Sequence, residues 1–80
     1  MFEELKELIG FEGDLMELTN KLDVICGYSL LDYTNEEDYI NNESITVSNQ
    51  EEIYNLEFKI IKAGEKYLDY IVEVTDIYDI

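Results

Sequence analysis

The second half of the chain alternates apolar and polar side chains, and this period of two constrains the fold more than any other feature. In the segment 54–60, YNLEFKI, every second residue is aromatic or aliphatic, and the segment 68–74 repeats the pattern. Successive side chains of a strand point to opposite faces, so such segments predict antiparallel strands with one buried face. A shorter alternation at 44–48, SITVS, predicts a third strand, and a four-residue loop after it would place Val47 opposite Tyr54.

The connection between the last two strands, within IIKAGEKY, is predicted to contain an odd number of residues. Residues directly opposite each other in an antiparallel pair share a face, so an even loop would set an apolar stripe against a polar one. A loop of residues 62–64, ending on a glycine in the left-handed conformation, pairs Phe58 with Leu68. A loop of residues 63–65 pairs Phe58 with Tyr70 instead.

The first half of the chain repeats its apolar residues every three or four positions, which predicts helices. One helix is expected within residues 2–11, and Asp14 is placed to cap a second one that ends near Gly27. Further on, Thr34 and Glu37 have the spacing of a capping box, which predicts one acidic helical turn.

Together these segments predict a single α+β domain over residues 1–80. Two N-terminal helices pack on one face of a three-stranded antiparallel β-meander, in the order ααβββ, with Phe58 at the centre of the core. The chain is 46% hydrophobic, which is enough to expect a folded domain despite its charge.

The charge balance excludes several classes of function. The chain carries 20 Asp and Glu against five Lys, with a net charge of −15, which repels nucleic acid and anionic membranes. Without histidine there is no imidazole base, and with one cysteine there is no zinc set. The acidic segment 32–43 has the length of an EF-hand loop but lacks the central glycine. We therefore expect no enzyme activity, no cofactor and no dedicated metal site.

The acidic start of the chain, MFEELKELIG, lacks the features of a signal peptide, and no apolar run approaches the length of a membrane span. Cys26 is the sole cysteine, so it has no intramolecular partner. The codon usage implied by abundant Ile, Asn, Lys and Tyr points to a low-GC bacterium or one of its viruses. These features predict a location in the cytoplasm of a bacterial cell.

The charge favours a basic protein as partner. A magnitude of about 2–8 suffices for the solubility of a small domain, and the excess here costs stability through self-repulsion. If the carboxylates gather on one side, they can imitate the phosphates of a nucleic acid. The candidate partner-binding residues come from the acidic segment, the first strand loop and the open sheet face: Asp32, Tyr33, Glu36, Glu37, Asp38, Tyr39, Glu43, Glu51, Glu52, Glu57, Asp69 and Glu73.

Two groups of apolar residues bear on this surface. Tyr33 and Tyr39 either join it, as interface tyrosines do, or anchor the acidic segment to the core. Ile53, Ile61 and Ile71 fall on the open side of the predicted sheet, which indicates that a partner or a second copy covers it.

In size, charge and composition the whole chain resembles small phage-encoded inhibitors of host nucleic-acid enzymes, such as anti-CRISPR proteins, uracil-glycosylase inhibitors and anti-restriction DNA mimics. No motif supports the resemblance, so no functional residues carry over. It implies a stoichiometric inhibitor that occupies the basic groove of a host defence effector, with a CRISPR effector as the expected partner. The alternative is a small cytosolic interaction or assembly module. One form of it is a homodimer in which two copies pair through their open sheet faces.

Overall fold

The computed structural model describes residues 2–26, 36–48 and 53–79 of the 80-residue chain. Within these ranges the elements follow in the order α1 (Phe2–Lys6), β1 (Glu12–Asp14), α2 (Leu15–Cys26), α3 (Glu36–Asn42), β2 (Ser44–Ser48), β3 (Ile53–Lys62), a short 3-10 helix (Tyr67–Asp69) and β4 (Ile71–Asp79).

The strands form one antiparallel sheet of four, in the spatial order β1-β4-β3-β2. The predicted ααβββ order with a three-stranded meander is therefore wrong. β2, β3 and β4 do form a meander, but β1 lies between the first two helices in sequence and pairs with β4, where Gly13 stands opposite Val72. A strand of three residues, the middle one Gly13, is too short to show a period of two in the sequence.

The first helix is shorter than predicted, whereas the cap of the second is confirmed. α1 ends at Lys6, and the chain continues in turns to Gly10, whose φ of 93° is accessible to glycine without strain. At the start of α2, the Glu17 N–H donates to Asp14 Oδ1 over 2.7 Å. The predicted stop at Gly27 and the capping threonine, Thr34, lie outside the described residues.

The register between β2 and β3 is the predicted one, with Val47 opposite Tyr54. The loop that joins these strands, residues 49–52, lies outside the described part of the chain. Both side chains point into the core. The requirement that opposite residues share a face was therefore enough to predict this register.

The register between β3 and β4 differs from both predictions. Phe58 stands opposite Val74, and residues 63–70 connect the strands through the 3-10 helix. Leu68 and Tyr70 alternate as a strand would, but they belong to this connection and pack at the rim of the core.

Gly64 also has a different role from the predicted left-handed turn. Its φ is not positive, and a Cβ placed on it would lie 2.6 Å from the Asp69 Cβ and 2.7 Å from the Asp69 carbonyl carbon. The residue is thus required by the close approach of two backbone segments.

Within the described ranges, the helices cover one face of the sheet and leave the other open. Buried leucines of α1 and α2, together with Tyr39 and Ile40 of α3, pack against the buried residues of β2, β3 and β4. The core residues are Leu5, Leu8, Leu15, Leu18, Leu22, Tyr39, Ile40, Ile45, Val47, Tyr54, Leu56, Phe58, Val72, Val74 and Ile77.

Candidate partner-binding surface

The side of the sheet that the helices leave uncovered is the outer face. Its residues alternate with buried neighbours along each strand and share a face across the register of the sheet. Among the described side chains they are Glu12, Asp14, Ser44, Thr46, Ile53, Asn55, Glu57, Lys59, Ile61, Lys62, Ile71, Glu73, Asp76 and Tyr78.

Two pairs of carboxylates stand directly opposite each other on the outer face. Glu12 of β1 pairs with Glu73 of β4, and Glu57 of β3 pairs with Asp76 of β4. Like charges at directly opposite positions destabilise a sheet. The arrangement therefore has an electrostatic cost that the fold itself does not require.

Two described cations lie on this face, and one of them, Lys62, stands opposite Ile71 at the end of β3. Lys59 is opposite Glu73, and its Nζ lies 3.0 Å from Glu73 Oε1. The Lys59 side chain is 59% exposed, so the ion pair is screened by water and contributes little to stability. Five carboxylates and two ammonium groups leave three net negative charges on the described part of the outer face.

The charge density of the outer face is close to that of a nucleic acid. With strands ~4.8 Å apart and two residues per ~6.7 Å, each outward residue covers about 32 Å² of sheet. The fourteen positions then give about 150 Å² per net charge, whereas duplex DNA, taken as roughly 20 Å wide, has about 100 Å². The whole surface of 5070 Å² shared by 15 net charges gives only about 340 Å².

The carboxylates of the described residues do not gather on one flank, so the outer face is one acidic surface within an acidic exterior. The helices on the opposite side, with the turn after α1, expose carboxylates of their own: Glu3, Glu4, Glu7, Glu17, Glu37 and Asp38.

The acidic turn predicted at residues 36–38 forms the first turn of α3, on the helical side of the sheet. Carboxylates there are favoured by the positive end of the helix dipole, which gives them a structural reason. Glu36 also lines a shallow groove with Met16 and the connection 65–69, whereas Glu43, with φ of 52°, joins α3 to β2.

The structure divides the remaining predicted residues. Glu57 and Glu73 lie on the outer face as predicted, but Asp69 lies in the 3-10 helix, which contacts α2 and α3. Tyr39 is 2% exposed and belongs to the core, in accord with the alternative that it anchors the acidic segment. Four predicted residues lie outside the described part of the chain: Asp32, Tyr33, Glu51 and Glu52.

Three carboxylates of the outer face were not among the predicted site residues: Glu12, Asp76 and Asp14, which was predicted only as a helix cap. Glu12 belongs to the unpredicted β1, although the segment 11–14, FEGD, does alternate weakly. Asp76 follows Val72 and Val74 at even spacing, which would point it inward, but a bulge between Glu57 and Phe58 shifts the register and turns it outward.

Apolar groups surround the charges of the outer face. Ile53 and Ile61 are 48% and 46% exposed, and Tyr78 is 41% exposed. Asn55 Nδ2 donates to the Tyr78 hydroxyl over 2.9 Å, which holds the ring across the strand. The outer face thus offers both charge and contact area.

Two other features are absent from the described ranges. No group of three or more His, Cys, Asp or Glu side chains there could hold a metal ion. None of the described helices combines the length and the apolar character needed to cross a membrane.

In comparisons with protein-family models, curated proteins and solved structures, no match to this chain was found. Its function is therefore inferred from the chemistry of its own surface.

Proposed function

We propose that this protein is a stoichiometric inhibitor whose outer face occupies the basic nucleic-acid groove of a host defence protein, foremost a CRISPR effector, in the bacterial cytoplasm. The observation that carries the proposal is the opposition of like charges, Glu12 to Glu73 and Glu57 to Asp76, on the side of the sheet that none of the described helices covers.

Cations of a partner would relieve the repulsion between these carboxylates, and this relief would favour binding. A guanidinium inserted between Glu57 and Asp76 would replace repulsion by two charge-assisted hydrogen bonds. Local features that oppose stability without compensation are expected at functional sites, and these pairs are such a feature.

The density of the charges favours a nucleic-acid groove over other basic surfaces. Such a groove presents Lys and Arg at the spacing of phosphates, and the outer face carries one net charge per about 150 Å², against about 100 Å² for the duplex. Ile53, Ile61 and Tyr78 would add the apolar contact that a phosphate backbone lacks, which supports tight binding.

The alternative, a homodimer joined through its outer faces, gains support from the exposure of Ile53 and Ile61. Each copy would, however, bring three net negative charges into the same interface. Juxtaposed like charges cost several kcal/mol in an interface, so a basic partner fits this face better than a second copy does.

Competition with DNA tests the proposal. Purified, guide-loaded CRISPR effectors bind a fluorescent DNA target, and the protein is added up to molar excess. We expect DNA to be displaced near equimolar protein and displacement to weaken as salt rises from about 0.05 M to about 0.5 M. Unchanged DNA binding by every effector tested would contradict the proposal.

A pair of charge reversals locates the contact. Glu57→Lys should weaken inhibition at least about tenfold, which is about 1.4 kcal/mol, while its new pairing with Asp76 preserves the fold. Glu65→Lys makes the same change of charge in the connection between β3 and β4, away from the outer face, and should have little effect.

A further inference from the structure

β2 is an edge strand with a free row of backbone groups. The Phe58 N–H donates to the Glu43 carbonyl over 3.0 Å, and the register then makes Ile45 and Val47 the residues that exchange hydrogen bonds with β3. The N–H and C=O groups of the alternate residues, Ser44, Thr46 and Ser48, consequently point away from the sheet. Within the described ranges the backbone of Ser44 and Thr46 has no hydrogen-bond partner on that side.

The two edges of the sheet are protected very differently. Proteins commonly guard an edge strand by making it short or by placing charges, proline or a bulge on it. β1 is three residues long and carries two carboxylates, Glu12 and Asp14. β2 has no charge, no proline and no bulge, in a chain of which 31% of the residues are charged.

The sequence of β2 is complementary to itself. SITVS reads almost identically in both directions about Thr46. Antiparallel pairing of two copies about this residue would place Ser44 opposite Ser48 of the second copy, and Ile45 opposite Val47. Polar residues would then share one face and apolar residues the other, as a two-fold symmetric interface requires.

The charge of the chain permits this contact, although it opposes contact between outer faces. The nearest outer-face carboxylate is Glu57, one strand inward. Across the joined edges, Glu57 of the two copies would be at least three strand spacings apart, roughly 14 Å. That exceeds the screening length of about 8 Å at physiological salt.

We propose that β2 pairs antiparallel with β2 of a second copy about Thr46, joining two four-stranded sheets into one of eight. The two outer faces would lie side by side and double the acidic surface. The inference stands independently of the function proposed above, because it concerns the edge of the sheet and not its outer face.

Amide hydrogen exchange measured by NMR at rising protein concentration, up to about 1 mM, tests the pairing, because such a short interface is weak. We expect the Thr46 amide to become at least about threefold more protected, whereas the Ile45 and Val47 amides, already bonded to β3, keep their rates. Salt should strengthen the pairing by screening the net charge, in contrast to the binding of a basic partner. Protection at Thr46 that is independent of concentration would overturn the proposal.

A matched pair of lysine substitutions separates the edge from the face. Thr46→Lys places two ammonium groups opposite each other across the two-fold axis and should abolish the concentration dependence, even though it lowers the net charge. Ile61→Lys makes the same change of charge on the outer face beyond the paired part of β2 and should leave the dimer intact. A dimer lost through Ile61→Lys but kept in Thr46→Lys would show that the outer faces pair, and would overturn the edge proposal.

Discussion

Asp14 illustrates how much a single side chain does in so small a domain. It is the last residue of β1, and its carboxylate accepts the Glu17 N–H at the first turn of α2. Asp14 therefore ends β1, which was not predicted from the sequence, and caps α2, which was predicted. The spacing of the cap was readable because it depends on neighbours three positions apart, whereas the strand depends on a partner 57 residues further along, Ile71.

Replacing Asp14 tests the cap. Asp14→Ala should lower the free energy of unfolding by about 1 kcal/mol, since an orphan N–H loses its acceptor. Asp14→Asn removes the same charge but keeps a capping oxygen, so it should cost less. Urea denaturation followed by circular dichroism provides the comparison, and equal losses in the two variants would contradict the role of the cap.

Phe58 is the residue on which the core should depend most. It is 3% exposed and stands opposite Val74 in the middle of the sheet. Phe58→Ala should cost about 3–5 kcal/mol, enough to unfold a domain of this size. Ile61→Ala, on the outer face of the same strand, should cost less than about 1 kcal/mol. Thermal denaturation of both variants measures the difference; similar melting temperatures would contradict the assignment of faces.

Among the elements, local patterns predicted much and long-range contacts little. α2 and the pairing of Val47 with Tyr54 followed from spacing and from shared faces. The register of β3 with β4 did not, because bulges break the alternation and the connection 63–70 folds into a turn with strand-like spacing. The pairing of Glu12 with Glu73 was not predicted either, because it depends on β1, which was itself not predicted.

At the scale of the elements, the repulsion within the like-charge pairs should be measurable as a lower free energy of unfolding. Glu57→Gln removes the carboxylate opposite Asp76 and should raise the free energy of unfolding by about 0.2–1 kcal/mol, a gain that shrinks as salt rises. Glu65→Gln removes one charge from the exposed connection and serves as the matched control. Equal effects of the two changes would mean that only the net charge matters.

For the whole molecule, the net charge of −15 was evident from composition, but its distribution was not. Carboxylates cover the helices as well as the sheet, and the distinguishing feature of the outer face is the way the register sets its carboxylates against each other. A sequence reports how many charges there are; the fold decides which of them lie within about 5 Å of one another.

Titration with an oligo-arginine peptide, followed by NMR, tests most directly whether the outer face is where cations bind. Two triple variants carry the same net charge: one changes Glu12, Glu57 and Glu73 to Gln, and the other changes Glu3, Glu7 and Glu37 to Gln. In the native chain we expect the chemical-shift changes to concentrate on β3 and β4. The outer-face variant should lose at least about tenfold in affinity, or about 1.4 kcal/mol, and the helix variant less than about threefold. Equal losses in the two variants, with shift changes spread over the helices, would contradict the account.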